Sequence, residues 1–164
     1  MKGILALVWD GSGTNGGKAV HFKANKDIAD LSIYGVGIAN NGGGTDGVEY
    51  TFPAISVSEG DDILLAREQT TLAAYFGSCT DTFEHIFESN NSVSQNGDDA
   101  IELFKNEAVI ETYGDADVDG TGFAWEYTGS WAFKINGTWT TGGIDCAAGS
   151  TSTQNSNCTY PQCE

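Results

Sequence analysis

The chain has 164 residues, with 7 Lys and Arg against 23 Asp and Glu, for a formal net charge of −16. One domain is the default at this length, with enough chain to bury a core. The charge excludes a general nucleic-acid binder and a protein that docks on anionic membrane, since both need a basic surface. No apolar run approaches the roughly 20 residues of a membrane span.

Short apolar runs rich in β-branched and aromatic residues alternate with Gly/Asn/Asp clusters, which is a strand-and-turn pattern. Strands are predicted over Gly3–Trp9, Ala19–Lys23, Leu31–Gly35, Val48–Phe52 and Asp62–Arg67. A single short helix is predicted over Thr71–Phe76, where Leu72, Ala73, Tyr75 and Phe76 have helical spacing. Strands resume at Ala100–Phe104, Ala108–Tyr113, Ala124–Tyr127 and Trp131–Ile135, and Lys105-Asn106-Glu107 joins the first two as a β-hairpin. Many short strands, polar loops and almost no helix predict an all-β sandwich.

Alternation assigns the faces. Val20 and Phe22 point inward, which leaves His21 and Lys23 exposed together. Trp131, Phe133 and Ile135 share a core-facing side, and Trp125 and Tyr127 alternate with Glu126.

Cys79, Cys146, Cys158 and Cys163 include no CxxC pair, and there are only 2 histidines, so zinc is a poor fit. An even number of cysteines in a Gly/Ser/Thr/Asn-rich chain fits disulfides formed in an oxidising, extracellular compartment. Three pairings are open, and each would pin the C-terminal tail. Met1-Lys2 runs straight into GILALVW with no signal peptide, so the chain reads as a mature module of a longer secreted protein, with a non-native Met1.

Charge is unevenly spread. Residues 1–29 carry Lys2, Lys18, Lys23 and Lys26 against Asp10 and Asp27, so an anionic ligand would meet this segment. The acids concentrate further on. Asp115-Ala116-Asp117-Val118-Asp119-Gly120 followed by Glu126 has the calcium-loop spacing, in which carboxylates two residues apart converge on a hard cation and a distal Glu closes the shell. Asp115, Asp117, Asp119 and Glu126 are the predicted calcium ligands, in a loop between strands rather than between helices. Asn96-Gly97-Asp98-Asp99 reads as ordinary turn chemistry, with an extra oxygen for an ion as the alternative. The glycines of the loop 40–47 make no phosphate cradle, because no GK[ST] or helix follows them.

The segments DIADLSIYGVGIANNGGGTDGVEYTFPA and SQNGDDAIELFKNEAVIETYGDADVDGTGFAWEYTGSWAFK, together with the Cys-bearing tail, resemble the lamin-tail-like domains of secreted bacterial proteins, often from marine Bacteroidetes. The resemblance spans residues 3–163. It implies an immunoglobulin-like β-sandwich, as a non-catalytic module attached to extracellular nucleases, polysaccharide-degrading enzymes or cell-surface proteins. One departure stands out. Where the family reads something like KAVELYV before DIADLS, this chain has Lys18-Ala19-Val20-His21-Phe22-Lys23-Ala24, so His21 replaces the usual Glu and Lys23 adds a cation.

The function expected is that of a carbohydrate-binding module of a secreted polysaccharide-degrading enzyme, with residues 1–164 as one module and a catalytic domain beside it in the parent chain. An anionic algal glycan would be held by His21, Lys23, Lys26 and Arg67. Trp139, Trp9, Tyr50 and Tyr34 are the candidate stacking platforms, Trp139 foremost. The alternative is a structural or adhesive accessory domain of an extracellular nuclease or cell-surface protein. No enzymatic activity is expected: His21 and His85 stand apart in the sequence, the cysteines are assigned to disulfides, and carboxylate pairs discriminate nothing among so many acids.

Overall fold

A computed structural model describes residues 1–164. It contains ten strands, β1 Gly3–Ala6, β2 Lys18–Lys23, β3 Tyr34–Ala39, β4 Tyr50–Thr51, β5 Asp62–Ala66, β6 His85–Glu88, β7 Ala100–Lys105, β8 Ala108–Tyr113, β9 Trp131–Ile135 and β10 Thr138–Thr141, and one α-helix, α1 Gln69–Phe76. They form a six-stranded sheet in the order β10-β9-β1-β2-β5-β6 and a four-stranded sheet in the order β4-β3-β7-β8. The β5–β6 pair is parallel and every other pair antiparallel. α1 supplies the crossover that a parallel pair requires.

The two sheets face each other across an apolar layer. Ile4, Val20, Phe22, Ile63 and Leu65 of the larger sheet meet Val36, Ile38 and Ile101 of the smaller. A second apolar layer covers the opposite face of the larger sheet. There Leu5, Ala19, Leu64, Trp131 and Phe133 pack with Leu72, Tyr75 and Phe76 of α1 and with Tyr160 of the C-terminal segment. The larger sheet is therefore the middle of three layers. This explains why β1 (GILA) and β5 (DILLA) are apolar almost without alternation and buried throughout: strands covered on both faces have no polar side to present.

α1 begins two residues before the predicted start, because the Glu68 carboxylate caps it by accepting from the Thr70 and Thr71 N–H groups. It ends at Gly77, whose φ of 57° suits a residue without Cβ. The disulfides pair Cys79 with Cys163 and Cys146 with Cys158. The first bolts the tail to the 3₁₀ turn of Gly77–Thr82, directly after α1.

Several predicted elements are corrected. Leu31–Ile33 is a 3₁₀ turn capped by Asp30, which accepts from Ser32 N, so the strand predicted from Leu31 starts only at Tyr34. Val48–Phe52 contributes just Tyr50–Thr51. Ala124–Tyr127 is a run of turns: Glu126 N bonds back to Phe123 O, and Tyr127 N crosses to Gly97 O. Its aromatics are there to pack, Tyr127 being fully buried and Trp125 edge-on to Tyr113. Ile135 is 49% exposed, although Trp131 and Phe133 on the same strand are buried as expected.

The main correction concerns His21. It lies on the face opposite Val20 and Phe22, as alternation requires, but that face is covered rather than solvated, and His21 is fully buried.

Candidate functional site

One end of the sandwich brings together three of the chain's 7 cations, Lys23, Lys26 and Lys105. β2 leaves its sheet at Lys23, β3 enters the other sheet at Tyr34 after the Leu31–Ile33 turn, and β7 ends at Lys105 directly opposite Tyr34 in register. Lys105 Nζ lies 5.6 Å from the Tyr34 ring centroid, a cation–π distance. Between the sheets at this end opens a cavity of about 290 Å³, lined by Lys23, Lys26, Lys105 and Tyr34 over an apolar floor that includes Phe22 and Phe52. On the other side of Tyr34 runs a shallow groove of about 440 Å³, lined by Ser32, Thr51, Asn106 and Glu107. Tyr34 belongs to both depressions and is half-buried, so it forms the wall between a basic pocket and a polar groove.

Of the predicted ligand-binding residues, Lys23 and Lys26 come together here. Lys23 bonds Asp62 at 2.7 Å, whereas Lys26 and Lys105 have no carboxylate within ion-pairing distance. Lys105 was not anticipated. Its only sequence signal is rarity, as one of 7 cations, next to a hairpin turn. The turn residues Asn106 (φ 49°) and Glu107 (φ 67°) face the groove through the same hairpin.

His21, Arg67 and Trp139 lie elsewhere. His21 Nε2 is 2.8 Å from Asp62 Oδ1, and its Nδ1 is 2.9 Å from the Tyr160 hydroxyl. Burial lowers the His21 pKa, against the opposing pull of Asp62. Burial would raise Asp62, but the hydrogen bonds from His21 and Lys23 outweigh it and keep its carboxyl below the ordinary range. Burial also holds Tyr160 well above the usual phenol value. The consistent assignment is a neutral imidazole that donates from Nε2 to an ionised Asp62 and accepts the Tyr160 proton at Nδ1. A glycine makes this geometry possible: Gly3 pairs with His21 across the strands, and a Cβ on it would lie 1.9 Å from the Tyr160 oxygen. His21 thus fastens the tail to the sheet from inside.

Arg67 sits just past the end of β5, five residues beyond Asp62, the cross-strand partner of Lys23, and so about 17 Å along the strand direction from the lysines. Its guanidinium donates to the carbonyls of Asn91 and Val93 and so holds that loop. Trp139 is half-buried on the edge strand, packed edge-on to Tyr113 at 4.7 Å with Lys134 Nζ over its ring at 4.8 Å. Trp9 stacks on Tyr75 and is buried. Of the four aromatics considered as platforms, Tyr34 is the one beside the lysines.

The acidic loop lies at another corner, where Gly120 N bonds Asp98 O and Gly44 N bonds Ala116 O. Its carboxylates turn to nearby donors. Asp115 Oδ1 accepts from Asp117 N, Asp119 Oδ1 from Thr121 N, and Glu126 Oε2 from Gly122 N. No group of three or more acid, His or Cys side chains is already gathered as a metal would need. Two features remain unbalanced. The Thr121 hydroxyl lies within bonding distance of both Asp98 Oδ2 and Asp119 Oδ1 but has one proton to give. Asp98 Oδ1 is buried with no donor at all. In the 96–99 turn, Asp99 accepts from the Asn96 and Asn41 N–H groups, the turn chemistry expected of it, and burial raises its pKa despite them.

No protein-family model matches the chain, and neither does any curated protein or solved structure among those searched. No helix is long and apolar enough to cross a membrane.

Proposed function

We propose that this chain is a non-catalytic carbohydrate-binding module of the lamin-tail-like, immunoglobulin-like type, secreted as part of a polysaccharide-degrading enzyme, and that it holds an anionic glycan across Tyr34. The observation that carries this reading is that Lys23, Lys26 and Lys105 line one depression together with Tyr34, in a chain with net charge −16. A sugar ring stacks on Tyr34, its hydroxyls meet Ser32, Thr51, Asn106 and Glu107 in the groove, and its sulfate or carboxylate meets Lys26 and Lys105. Two sheets packed face to face support the fold assignment, and two disulfides support an extracellular setting.

Calcium belongs to the same reading. An ion at the acidic corner would supply the positive charge that Asp98 and Asp119 lack around the shared Thr121 hydroxyl. The buried, donorless Asp98 Oδ1 supports this.

Titration calorimetry against sulfated, uronic and neutral polysaccharides tests the glycan reading. Heat with the charged polymers that is lost in Tyr34→Ala and in the Lys26→Glu/Lys105→Glu double variant is the expected result. Absence of binding to every polymer would leave the accessory-domain reading in its place.

A further inference from the structure

The cavity beside Tyr34 has a floor that a glycan does not need. Phe22, Leu31, Phe52 and Ile63 line it, each at most 6% exposed and each a member of the intersheet core, so the cavity reaches the apolar interior rather than resting on a polar surface. The groove on the far side of Tyr34, by contrast, is lined mostly by polar residues. A pocket of about 290 Å³ with a mostly apolar lining and a few convergent charges suits a small ligand with an apolar body.

The charges select the head group. Lys23, Lys26 and Lys105 line the cavity, the first two exposed, and Lys26 and Lys105 have no ion-pair partner. The single acid in the lining, Glu111, is engaged by Lys134 and the terminal amine of Met1. Its carboxyl is accordingly held below the ordinary range, although burial alone would raise it. A strongly acidic protein therefore presents an apolar pocket with a cationic opening.

We infer that this cavity binds a single-chain amphiphile with one anionic head, a carboxylate or sulfate on an alkyl body. The body lies on Phe22, Leu31, Phe52 and Ile63, and the head meets Lys26 and Lys105. This goes beyond the glycan reading, because it needs the floor of the cavity and not the groove.

The test is calorimetry or ligand-observed NMR with hexanoate, octanoate and decanoate below their micelle-forming concentrations, beside acetate and decanol. Each added methylene is expected to tighten binding about threefold to fourfold until the cavity is full. Decanol should bind at least fivefold more weakly than decanoate, and acetate not at all. Leu103, on β7, also lines the cavity. Leu103→Trp should fill it and abolish decanoate binding while leaving any glycan binding in place, which separates the two readings. If that variant does not fold, the wild-type ligand series still decides. A flat dependence on chain length, decanol equal to decanoate, or no binding of decanoate each overturns the inference. Anionic phospholipid vesicles should give no signal, since the net charge repels them; binding to vesicles but not to free decanoate would also overturn it.

Discussion

The two disulfides close loops of very different length, and this makes their contributions separable. Cys79–Cys163 spans 84 residues of sequence and Cys146–Cys158 spans 12. If each bridge acts by restricting the unfolded chain, the long loop contributes about 4.6 kcal/mol and the short one about 2.8 kcal/mol at 25 °C. The long bridge also has the larger local role. It anchors the segment that carries Tyr160, whose ring stacks on Phe76 at 5.6 Å and whose hydroxyl reaches His21. Urea denaturation of the Cys79→Ala/Cys163→Ala and Cys146→Ala/Cys158→Ala variants measures both. The first pair should lose about 2 kcal/mol more than the second. It should also lose near-ultraviolet dichroism from the Tyr160, Phe76 and Trp131 layer while keeping its far-ultraviolet β signal. Equal losses, or a larger loss for the short loop, would refute the view that the long bridge is what holds the tail on the sheet.

Three further outcomes are expected. His21 is buried with a lowered pKa, so below about pH 6.5 the unfolded chain takes up a proton that the folded one resists, and stability is full above that pH and falls as pH drops. Unfolding free energies from denaturant titrations between pH 7 and pH 5 should slope by at most about 1.4 kcal/mol per pH unit from this group and flatten in His21→Gln, and an unchanged slope in the variant would assign the effect to other groups. Gly3→Ala should cost about 1–3 kcal/mol by driving a methyl into the Tyr160 hydroxyl, and Tyr160→Phe in that background should recover part of it; strict additivity of the two changes would contradict the clash. Calcium at a hundredfold excess over its Kd should add about 2.7 kcal/mol, visible as a higher Tm that chelator reverses and Asp98→Ala abolishes, whereas a melting curve indifferent to chelator rejects the ion.

What the sequence reveals divides along physical lines. Strand β9 is legible to the residue, since Trp131–Ile135 alternates and is bounded by turn residues. The β7–β8 hairpin is equally plain from Lys105-Asn106-Glu107. The alternation of β2 correctly sets His21 and Lys23 opposite Val20 and Phe22. It misses the burial of His21 because the cover arrives from Phe83, in the turn after α1, and from Tyr160, 139 residues away. The unbroken apolar runs of β1 and β5 were the available sign of a doubly covered sheet. β6 and β10, at four residues each, are too short to stand out. The Ala124–Tyr127 error has a related cause: aromatic content reports packing, and here the packing fills a corner rather than a strand. Of the cationic set, spacing joined Lys23 to Lys26 but did not bring in Lys105, which reaches them only through the β3–β7 register. Arg67 looks like a partner in composition and is a loop anchor in space.

The account rests most heavily on the Tyr34 end of the sandwich being where ligand binds. Amide chemical-shift mapping with a sulfated or uronic oligosaccharide tests that most directly. The perturbed amides should cluster at Lys26, Ser32, Tyr34, Thr51, Lys105 and Asn106, while Trp139, Arg67 and residues 115–126 stay still. Shifts centred on Trp139 or the acidic corner, with the Tyr34 end silent, would contradict it.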